Sequence, residues 1–376
     1  MRLLPLMICA MFFSACGSAS DLDSPINGQA GPAQHHSDIT LPDAPLHLRW
    51  EHSLDGYAGR NEILLVQDYA LLSSITGIID VVDIPSGEQK GRINAQGYVH
   101  AAPVAVSNRL YLIALAEQST LQCHSLDDAS LLWSADIEAS DASVCVSGDN
   151  LFLVSRGGTV MCFGLHDSIP KWTRRLSGAF SAGLVAEDSL LFVCGANGDL
   201  SALSAVSGAV RWTQASGEAI LVAPAADDGV VCAVTRNGTL IAAEAQSGTV
   251  RFIRKFNEPV HVSPLMTKHG IVVALSGGDI VWVDALDGRE LRRVRTGRLP
   301  GATPVPASGG LLLLARDGRV HALGDGSDET VLLAAMKLRS SVRPLLTVHG
   351  VLVVDEEGNA SLFGRQMEKG AGNAVD

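Results

Sequence analysis

Short apolar runs of four to six residues recur along this chain, and each is bounded by turn-forming residues. The run Leu190–Cys194 (LLFVC) is followed by the turn Asn197-Gly198-Asp199, then by a second apolar run and by a third that ends on Trp212. Asn and Gly accept the positive φ that two-residue hairpin turns require. The pattern therefore predicts an antiparallel meander of strands rather than a helix.

The turn glycine of this meander recurs at a constant spacing. It stands at positions 158, 198, 238, 278, 318 and 358, a period of 40 residues that is held five times. A period near 40 with about four strands in each unit is the mark of a β-propeller blade. Two earlier turns, at Gly77 and Ser119, bring the number of units to eight. The predicted fold class is all-β, an eight-bladed β-propeller of four-stranded antiparallel blades.

The two ends of the repeat array complement each other. Residues 46–54 (LHLRWEHSL) resemble the fourth strand of the later units but precede the first unit, whereas the last unit, residues 344–363, has only three strands. The N-terminal strand is therefore predicted to complete the final blade and to close the ring, which removes an open sheet edge. The predicted propeller spans residues 46–364, and residues 365–376 form a loose C-terminal tail.

The interior of each unit is predicted to be covered on both faces. The second strands are continuously apolar, where a half-exposed strand would alternate with polar residues. The fourth strands carry large side chains in register, namely Trp133, Trp172, Trp212 and Phe252, with Arg292 and Leu332 in that place later. We expect the aromatic rings to fill the wedge between neighbouring blades rather than to form a ligand cage.

The first sixteen residues form a targeting segment. Arg2 is the positive residue, Leu3 to Phe13 is an apolar run of eleven residues, and the small-residue site after it ends at Cys16. Eleven apolar residues are too few to span a bilayer as a helix. The segment resembles a bacterial lipoprotein signal, which implies lipid attachment at Cys16; the alternative is an ordinary secretory signal with a chance cysteine. Because Gly17 follows the cysteine, the resemblance implies the periplasmic face of the outer membrane.

Composition narrows the classes of partner. The chain is 47% hydrophobic and 18% charged, which excludes disorder for its bulk, although residues 17–45 are rich in Ser, Asp, Gly and Pro and are expected to be a flexible tether. A net charge of −12 argues against nucleic acid, whose phosphates are bound by Lys and Arg. Five cysteines remain if Cys9 is cleaved off and Cys16 is lipidated, and their odd number favours buried thiols over disulfides.

The repeat frame resembles that of a known family. Gly198-Asp199-Leu200, followed by Gly208 and Trp212, resembles the repeat of the quinoprotein (PQQ-type) propellers, and the same frame is visible at residues 238–252 and 278–292. In degenerate form it covers residues 59–364. The resemblance implies the propeller fold, but this repeat serves proteins of several functions.

Two branches of that family differ in function. The quinoprotein dehydrogenases are similar to one another in carrying adjacent cysteines and an acidic calcium site, whereas this sequence has no Cys-Cys pair and no Cys-x-x-Cys-His haem motif. No catalytic, cofactor-binding or metal-binding residue is therefore assigned, and no cofactor is expected. The chain resembles the other branch, the outer-membrane protein-assembly lipoproteins.

That second resemblance implies a non-enzymatic, lipid-anchored scaffold. Its partners would be envelope proteins, among them the outer-membrane barrel assembly machinery, and it would act as a monomeric propeller within a complex. The alternative function is a periplasmic quinoprotein-like propeller that binds a cofactor or a small molecule in its central funnel.

One basic run stands out on this acidic chain. Arg289, Arg292, Arg293, Arg295 and Arg298 lie within ten residues of one another. Such a run could bind an acidic partner or lipid headgroups. The alternative is that these charges protect the outer edge of a blade against strand pairing, which is a common use of charged residues.

Overall fold

The protein is a closed ring of eight antiparallel sheets. The computed structural model describes residues 21–22, 39–58 and 63–365. Every regular element in these ranges is a β-strand, and the strands form eight sheets. Each sheet is built from strands that are neighbours in sequence, except that the first and the last blade each gain one strand from the N-terminal segment. The predicted all-β, eight-bladed propeller is therefore confirmed.

The first four blades run from residue 64 to residue 215. Blade 1 consists of β3 (Leu64–Val66), β4 (Tyr69–Ser73), β5 (Ile78–Asp83) and β6 (Gln89–Asn94). Blade 2 consists of β7 (Val104–Val106), β8 (Arg109–Ala114), β9 (Ser119–Ser125) and β10 (Leu131–Ile137). Blade 3 consists of β11 (Cys145–Ser147), β12 (Asn150–Val154), β13 (Thr159–Gly164) and β14 (Pro170–Arg175). Blade 4 consists of β15 (Val185–Glu187), β16 (Leu190–Cys194), β17 (Asp199–Ser204) and β18 (Val210–Ala215).

The other four blades include the one that joins the chain ends. Blade 5 consists of β19 (Ala225–Asp227), β20 (Val230–Val234), β21 (Thr239–Glu244) and β22 (Val250–Lys255). Blade 6 consists of β23 (Leu265–Thr267), β24 (Gly270–Ala274), β25 (Asp279–Val283) and β26 (Glu290–Arg295). Blade 7 consists of β27 (Val305–Ala307), β28 (Gly310–Leu314), β29 (Arg319–Gly324) and β30 (Val331–Ala335). Blade 8 consists of β31 (Leu345–Thr347), β32 (Gly350–Val354), β33 (Asn359–Gly364) and β2 (His47–Ser53).

The N-terminal strand closes the ring as the sequence predicted. Strand β2 pairs antiparallel with β33, from His47 opposite Gly364 to Ser53 opposite Asn359. The last blade thereby gains the fourth strand that its own repeat lacks. A further short strand, β1 (Asp21–Leu22), pairs with Arg92 and Gly91 of β6 and adds a fifth strand to blade 1.

The hydrophobic core lies between the blades. Eight clusters of buried apolar side chains are present in the described residues, and each joins two neighbouring blades. One of them packs Ala70 and Leu72 of blade 1 against Leu352 and Val354 of blade 8, so the core is continuous around the ring. Since every blade is packed on both of its faces, the second strands have no exposed face and are apolar throughout.

Three tryptophans of the fourth strands each connect their blade to the next one. Trp212 donates its indole Nε1–H to the carbonyl oxygen of Ala245 at 2.9 Å, and its ring lies directly over Gly248. Trp172 makes the same contact with Ala205 at 3.0 Å. Trp50 makes it with Ile84 at 2.7 Å, across the closure of the ring. The expected packing role of the fourth-strand rings is confirmed, and these three tryptophans also satisfy a carbonyl group of the neighbouring blade, whereas Nε1 of Trp133 has no hydrogen-bond partner.

The segment before β2 lies against blade 7. Leu41 donates its amide to the carbonyl oxygen of Ser308 at 3.1 Å, and Ser308 donates its own to Ile39 at 2.8 Å. Leu46 is buried and donates its amide to the carbonyl oxygen of Leu333 at 2.9 Å. Residues 39–45 are the last part of the expected tether. The expected signal segment, most of that tether and tail residues 366–376 lie outside the described residues.

Candidate interaction surfaces

The short first strands surround the central axis of the ring and are mostly apolar. The first strands of adjacent blades contact one another, as β11 does β15 and β15 does β19, so these strands surround the axis. They are short and rich in Val, Ala and Leu, with sequences such as VAV in β7 and LLT in β31. The described ranges contain no group of three or more His, Cys, Asp or Glu side chains that could hold a metal ion.

The polar residues at the ends of the third strands are bound locally. Asp83 accepts a hydrogen bond from the amide of Ser86 at 3.0 Å, and Asp284 accepts one from the amide of Leu286 at 2.8 Å. Glu244 accepts from Nε of Arg251 at 2.6 Å. These carboxylates therefore stabilise the turns that follow them and lie in separate blades.

The five cysteines in the described residues are free thiols. Four are buried, and Cys145 is partly buried beside the first strand of blade 4. Burial raises the pKa of Cys145 and of Cys162 to about 11. A thiol with such a pKa carries almost no thiolate at neutral pH, so these side chains act as small apolar residues.

The arginine run is spread along strand β26 and beyond both of its ends. Arg289 lies in the turn before the strand, 3.3 Å from Asp284 and 3.8 Å from Asp287. Arg293 lies between Asp279 at 2.8 Å and Glu290 at 2.9 Å. These two members are thus paired with carboxylates of their own blade.

The remaining three arginines have different surroundings. The guanidinium of Arg292 lies 4.5 Å from the ring centre of Trp282 and donates to the carbonyl oxygen of Gly324 at 3.3 Å. Arg298 pairs with Asp317 at 3.0 Å, in the link to blade 7. Arg295 is exposed at the end of the strand. Two of the five arginines therefore contact blade 7, two pair within blade 6, and the five side chains do not converge on one spot.

The turns of the ring divide into two faces. In a four-stranded antiparallel blade, the turns from first to second and from third to fourth strand lie on one side, and all other connections lie on the opposite side. Backbone hydrogen bonds tie the two kinds of turn on the first side together, as from Ala205 to Ser189 at 2.8 Å and from Ala245 to Gly229 at 2.9 Å. We call the side with these paired turns the turn face, and the other the link face.

The turn face is strongly acidic. In the described residues its turns hold thirteen acidic and two basic side chains. The acidic ones are Asp68, Glu88, Asp127, Asp128, Asp149, Asp167, Asp188, Asp228, Asp284, Asp287, Asp325, Asp328 and Glu329, and the basic ones are Lys268 and Arg289. On the link face the described connections hold ten acidic and seven basic side chains. The negative charge of the domain is therefore concentrated on one face.

The carboxylates of blades 4 and 5 show the effect of this concentration. Glu187, at the end of β15, accepts a hydrogen bond from the amide of Gly229 in blade 5 at 2.9 Å. Its pKa is raised, first by burial and then by repulsion from Asp188, Asp227 and Asp228. Several negative charges therefore lie close together here, and their repulsion disfavours the ionised form of Glu187.

The same face carries the most exposed aliphatic side chains among the described residues. These are Ile169, Val206, Leu286 and Val348, with 76%, 81%, 72% and 80% of their surface exposed. Three of them are at the tips of turns between third and fourth strands, and Val348 is in the first turn of blade 8. This face was not predicted from the sequence, although the predicted strand boundaries already place an excess of acidic residues in these turns.

These features define the class of protein, an eight-bladed propeller built from PQQ-type repeats, with interblade tryptophan contacts and mostly apolar first strands around its axis. Residues 70–174 and 170–371 match the sequence model of the family described as outer membrane protein assembly factor BamB. The chain belongs to this family. No protein among those with curated descriptions matches it in sequence.

Solved structures share the fold at low sequence identity. The crystal structure of BamB from Moraxella catarrhalis is 16% identical, with a TM-score of 0.72 over 85% of this chain and 100% of that one. The computationally designed Ika8 protein is 14% identical, with a TM-score of 0.73 over 83% and 98%. The quinohemoprotein alcohol dehydrogenase ADHIIG from Pseudomonas putida HK5 is 11% identical, with a TM-score of 0.68 over 89% and 79%. At these identities the likeness shows the fold alone.

The site expected for lipid attachment lies outside this domain. Cys16 falls in a range that the structure does not describe, so its lipidation stays a prediction from the sequence. Across residues 21–22, 39–58 and 63–365 there is no helix that combines the length and the apolar character needed to cross a membrane.

Proposed function

We propose that this protein is a non-enzymatic scaffold of the bacterial envelope that binds other proteins during outer-membrane protein assembly. Membership of the family named after outer membrane protein assembly factor BamB supports this role. So does the propeller itself, because a rigid ring presents separate surfaces to several partners at once.

The main observation behind the proposal is where the reactive and the exposed side chains lie. Enzyme sites bring together titratable groups with shifted pKa values in a concave pocket. Here the first strands around the channel are mostly apolar, and the acidic and exposed aliphatic side chains lie on the turn face. That arrangement suits contacts with other proteins better than chemistry in the channel.

Anchoring would come from the N-terminal cysteine. Lipidation at Cys16 would make it the mature N-terminus, and the following Gly17 favours the outer membrane, with the propeller on its periplasmic face. Because β1 pairs with blade 1, the four residues from 17 to 20 separate Cys16 from the propeller, and they could span roughly 13 Å at about 3.3 Å per residue. The edge of blade 1 would then lie close to the bilayer.

The arginine run is proposed as a second interaction patch. Its exposed members are Arg289 and Arg295, whereas Arg292, Arg293 and Arg298 are partly buried. A partner that uses it would be acidic and would bind at the rim of blade 6.

A crosslinking pull-down of the full-length protein from its own envelope tests the scaffold role. We expect recovery of barrel-assembly proteins with the wild type, and loss of both membrane association and this recovery in the variant Cys16→Ser. Quinone and calcium are assayed in the same sample. Stoichiometric quinone or calcium without protein partners would instead support the alternative, a propeller that binds a ligand in its funnel.

A further inference from the structure

We propose that the turn face is a docking surface for a basic surface of another protein, with the exposed aliphatic turn tips as its apolar contacts. This inference rests on the proposed scaffold function and names the chemistry of the partner. Two independent properties of the described residues support it, one apolar and one electrostatic.

The apolar property is the position of the turn tips. Val206, Val348, Ile169 and Leu286 are each more than 70% exposed, and no other large apolar side chain in the described residues reaches that value. Leaving such groups in water costs free energy that burial against a partner would recover. An aliphatic tip at the end of a short, rigid turn also loses little entropy when a partner covers it.

The position of these tips is not explained by the packing of the ring. Val206 lies beside Ala205, whose carbonyl oxygen accepts the indole hydrogen bond of Trp172, yet Val206 itself points into solvent. A polar residue would serve the turn equally well there, as Gln246 does at the equivalent position of blade 5. The aliphatic side chain therefore has no structural use within the domain.

The electrostatic property decides which partner fits. Thirteen acidic side chains stand against two basic ones in the turns of this face. Some acids are direct neighbours of the tips, since Asp287 follows Leu286 and Asp167 precedes Ile169 by two residues. A surface that covers the tips must therefore approach a strongly negative field, and like charges at such an interface are costly.

This field excludes nucleic acid and an anionic phospholipid surface as the occupant, because both carry negative charge. It favours a protein surface rich in lysine and arginine, whose aliphatic stems can cover apolar groups while their charged ends meet the carboxylates. Attraction of this kind also accelerates encounter and makes binding sensitive to salt.

A defined probe tests the proposal directly. We would measure the binding of a short fluorescent peptide of alternating lysine and leucine to the purified full-length protein by anisotropy, with a glutamate–leucine peptide as the charge control. The test variant is the double substitution Asp149→Lys and Asp227→Lys. Asp149 lies in the first turn of blade 3, and Asp227 ends β19 directly before the first turn of blade 5. Both residues are exposed, and neither has the left-handed backbone seen at Asp188 and Asp228, where lysine would add strain.

Matched variants separate the face from the charge. Glu117→Lys with Glu357→Lys makes the same change of charge in exposed turns of the link face. For the apolar contacts, Ile169→Ser with Val206→Ser is compared with Ile253→Ser, which is 59% exposed on the rim of blade 5. Thermal unfolding of every variant checks that the fold is retained.

We expect the lysine–leucine peptide to bind the wild type, about tenfold more weakly to the Asp149/Asp227 variant, and unchanged to the link-face variant. Binding should weaken with added salt and fall in the Ile169/Val206 variant. Equal weakening by both charge variants, or a peptide that binds without regard to the tips, would overturn the proposal.

The same proposal extends to the natural partner. A photo-crosslinking residue at position 206 should capture an identified protein through a segment rich in lysine and arginine, and one at position 98 on the link face should not. A captured segment without basic excess would count against the proposal. If the envelope pull-down recovers no assembly proteins but the peptide results hold, the scaffold's biological role fails while the docking surface stands.

Discussion

Substitution of Gly248 by Ala tests the contact that joins successive blades. Gly248 has φ of +72°, and a Cβ atom placed on it would lie 2.5 Å from Cδ2 and 2.7 Å from Cγ of Trp212. Two costs follow from this geometry. A left-handed backbone costs an alanine about 1 kcal/mol, and forcing a methyl group into a packed ring costs roughly 1–3 kcal/mol. We therefore expect Gly248→Ala to lower the free energy of unfolding by about 2–4 kcal/mol.

Gly229 is a matched control in the same blade. Its φ is +71°, but nothing lies within 4 Å of a Cβ atom built there. Gly229→Ala should therefore cost only the backbone strain, about 1 kcal/mol. The difference between the two variants isolates the overlap with the indole.

Equilibrium unfolding in guanidinium, followed by far-UV circular dichroism and checked by calorimetry, measures both variants. A third variant, Trp212→Leu, removes the ring, so adding Gly248→Ala in that background should cost no more than Gly229→Ala does. The coupling between positions 212 and 248 is then roughly 1–3 kcal/mol. Equal losses for Gly248→Ala and Gly229→Ala would refute the reasoning, because the ring would then be free to move away.

Four further predictions concern single groups. Tyr111 donates its hydroxyl hydrogen to the carbonyl oxygen of Leu165 at 2.9 Å, so Tyr111→Phe should lower the free energy of unfolding by about 1–2 kcal/mol. Nε1 of Trp133 has no hydrogen-bond partner, so Trp133→Phe should cost about 1 kcal/mol less than Trp212→Phe. Urea titrations of the three variants compare them. The raised pKa of Glu187 means that the native carboxyl holds its proton more tightly than the unfolded chain does. Stability therefore falls as pH rises from the ordinary glutamate pKa of about 4.5 through the raised pKa of the native state. Glu187→Gln should therefore raise the melting temperature at pH 7 and have less effect below pH of about 4; an equal effect at both pH values would contradict this. The pKa of buried His321 is lowered, chiefly by burial and then by Arg298, and neither ring nitrogen has a partner, so the native state loses stability as pH falls below about 6.5. His321→Leu should flatten that part of the stability curve, and a curve as steep as that of the wild type would show that His321 does not cause it.

The fold could be predicted because its repeat contains residues that a particular local backbone conformation requires. The turn glycines at positions 158, 198, 238, 278, 318 and 358 all have positive φ in the structure, between 84° and 95°. Few residues other than glycine adopt that backbone, so the period of 40 residues survives where the rest of the repeat has diverged. The closure of the ring followed from counting strands at the two chain ends.

The interaction surfaces could not be predicted in the same way. Along the chain, the acidic turn residues are separated from one another by strands and by the connections of the link face, so no long acidic run is visible. The excess of acidic over basic residues on one face appears only when successive turns are assigned to opposite ends of the blades. The arginine run shows the reverse case. It is continuous in sequence, but Asp279, which binds Arg293 at 2.8 Å, is supplied by the preceding strand, and Asp317, which binds Arg298, by the next blade.

Leu332 stands where other fourth strands have an aromatic residue, and the closure of the ring explains this difference. A tryptophan in a fourth strand needs the turn between third and fourth strands of the next blade, and blade 8 has no such turn because its fourth strand comes from the N-terminus. The register of blade 7 is shifted accordingly, with Leu332 opposite His321, whereas Trp212 is opposite Ala202 in blade 4.

This shift has two consequences for the neighbouring groups. Leu333 becomes the buried residue of the strand, and its carbonyl oxygen accepts the amide of Leu46 in place of an indole contact between blades. His321 is left buried without a hydrogen-bond partner at the same place. The departure of the sequence from its own repeat at position 332 therefore marks the blade beside which the ring is closed, and the N-terminal segment takes over the joining of blades 7 and 8.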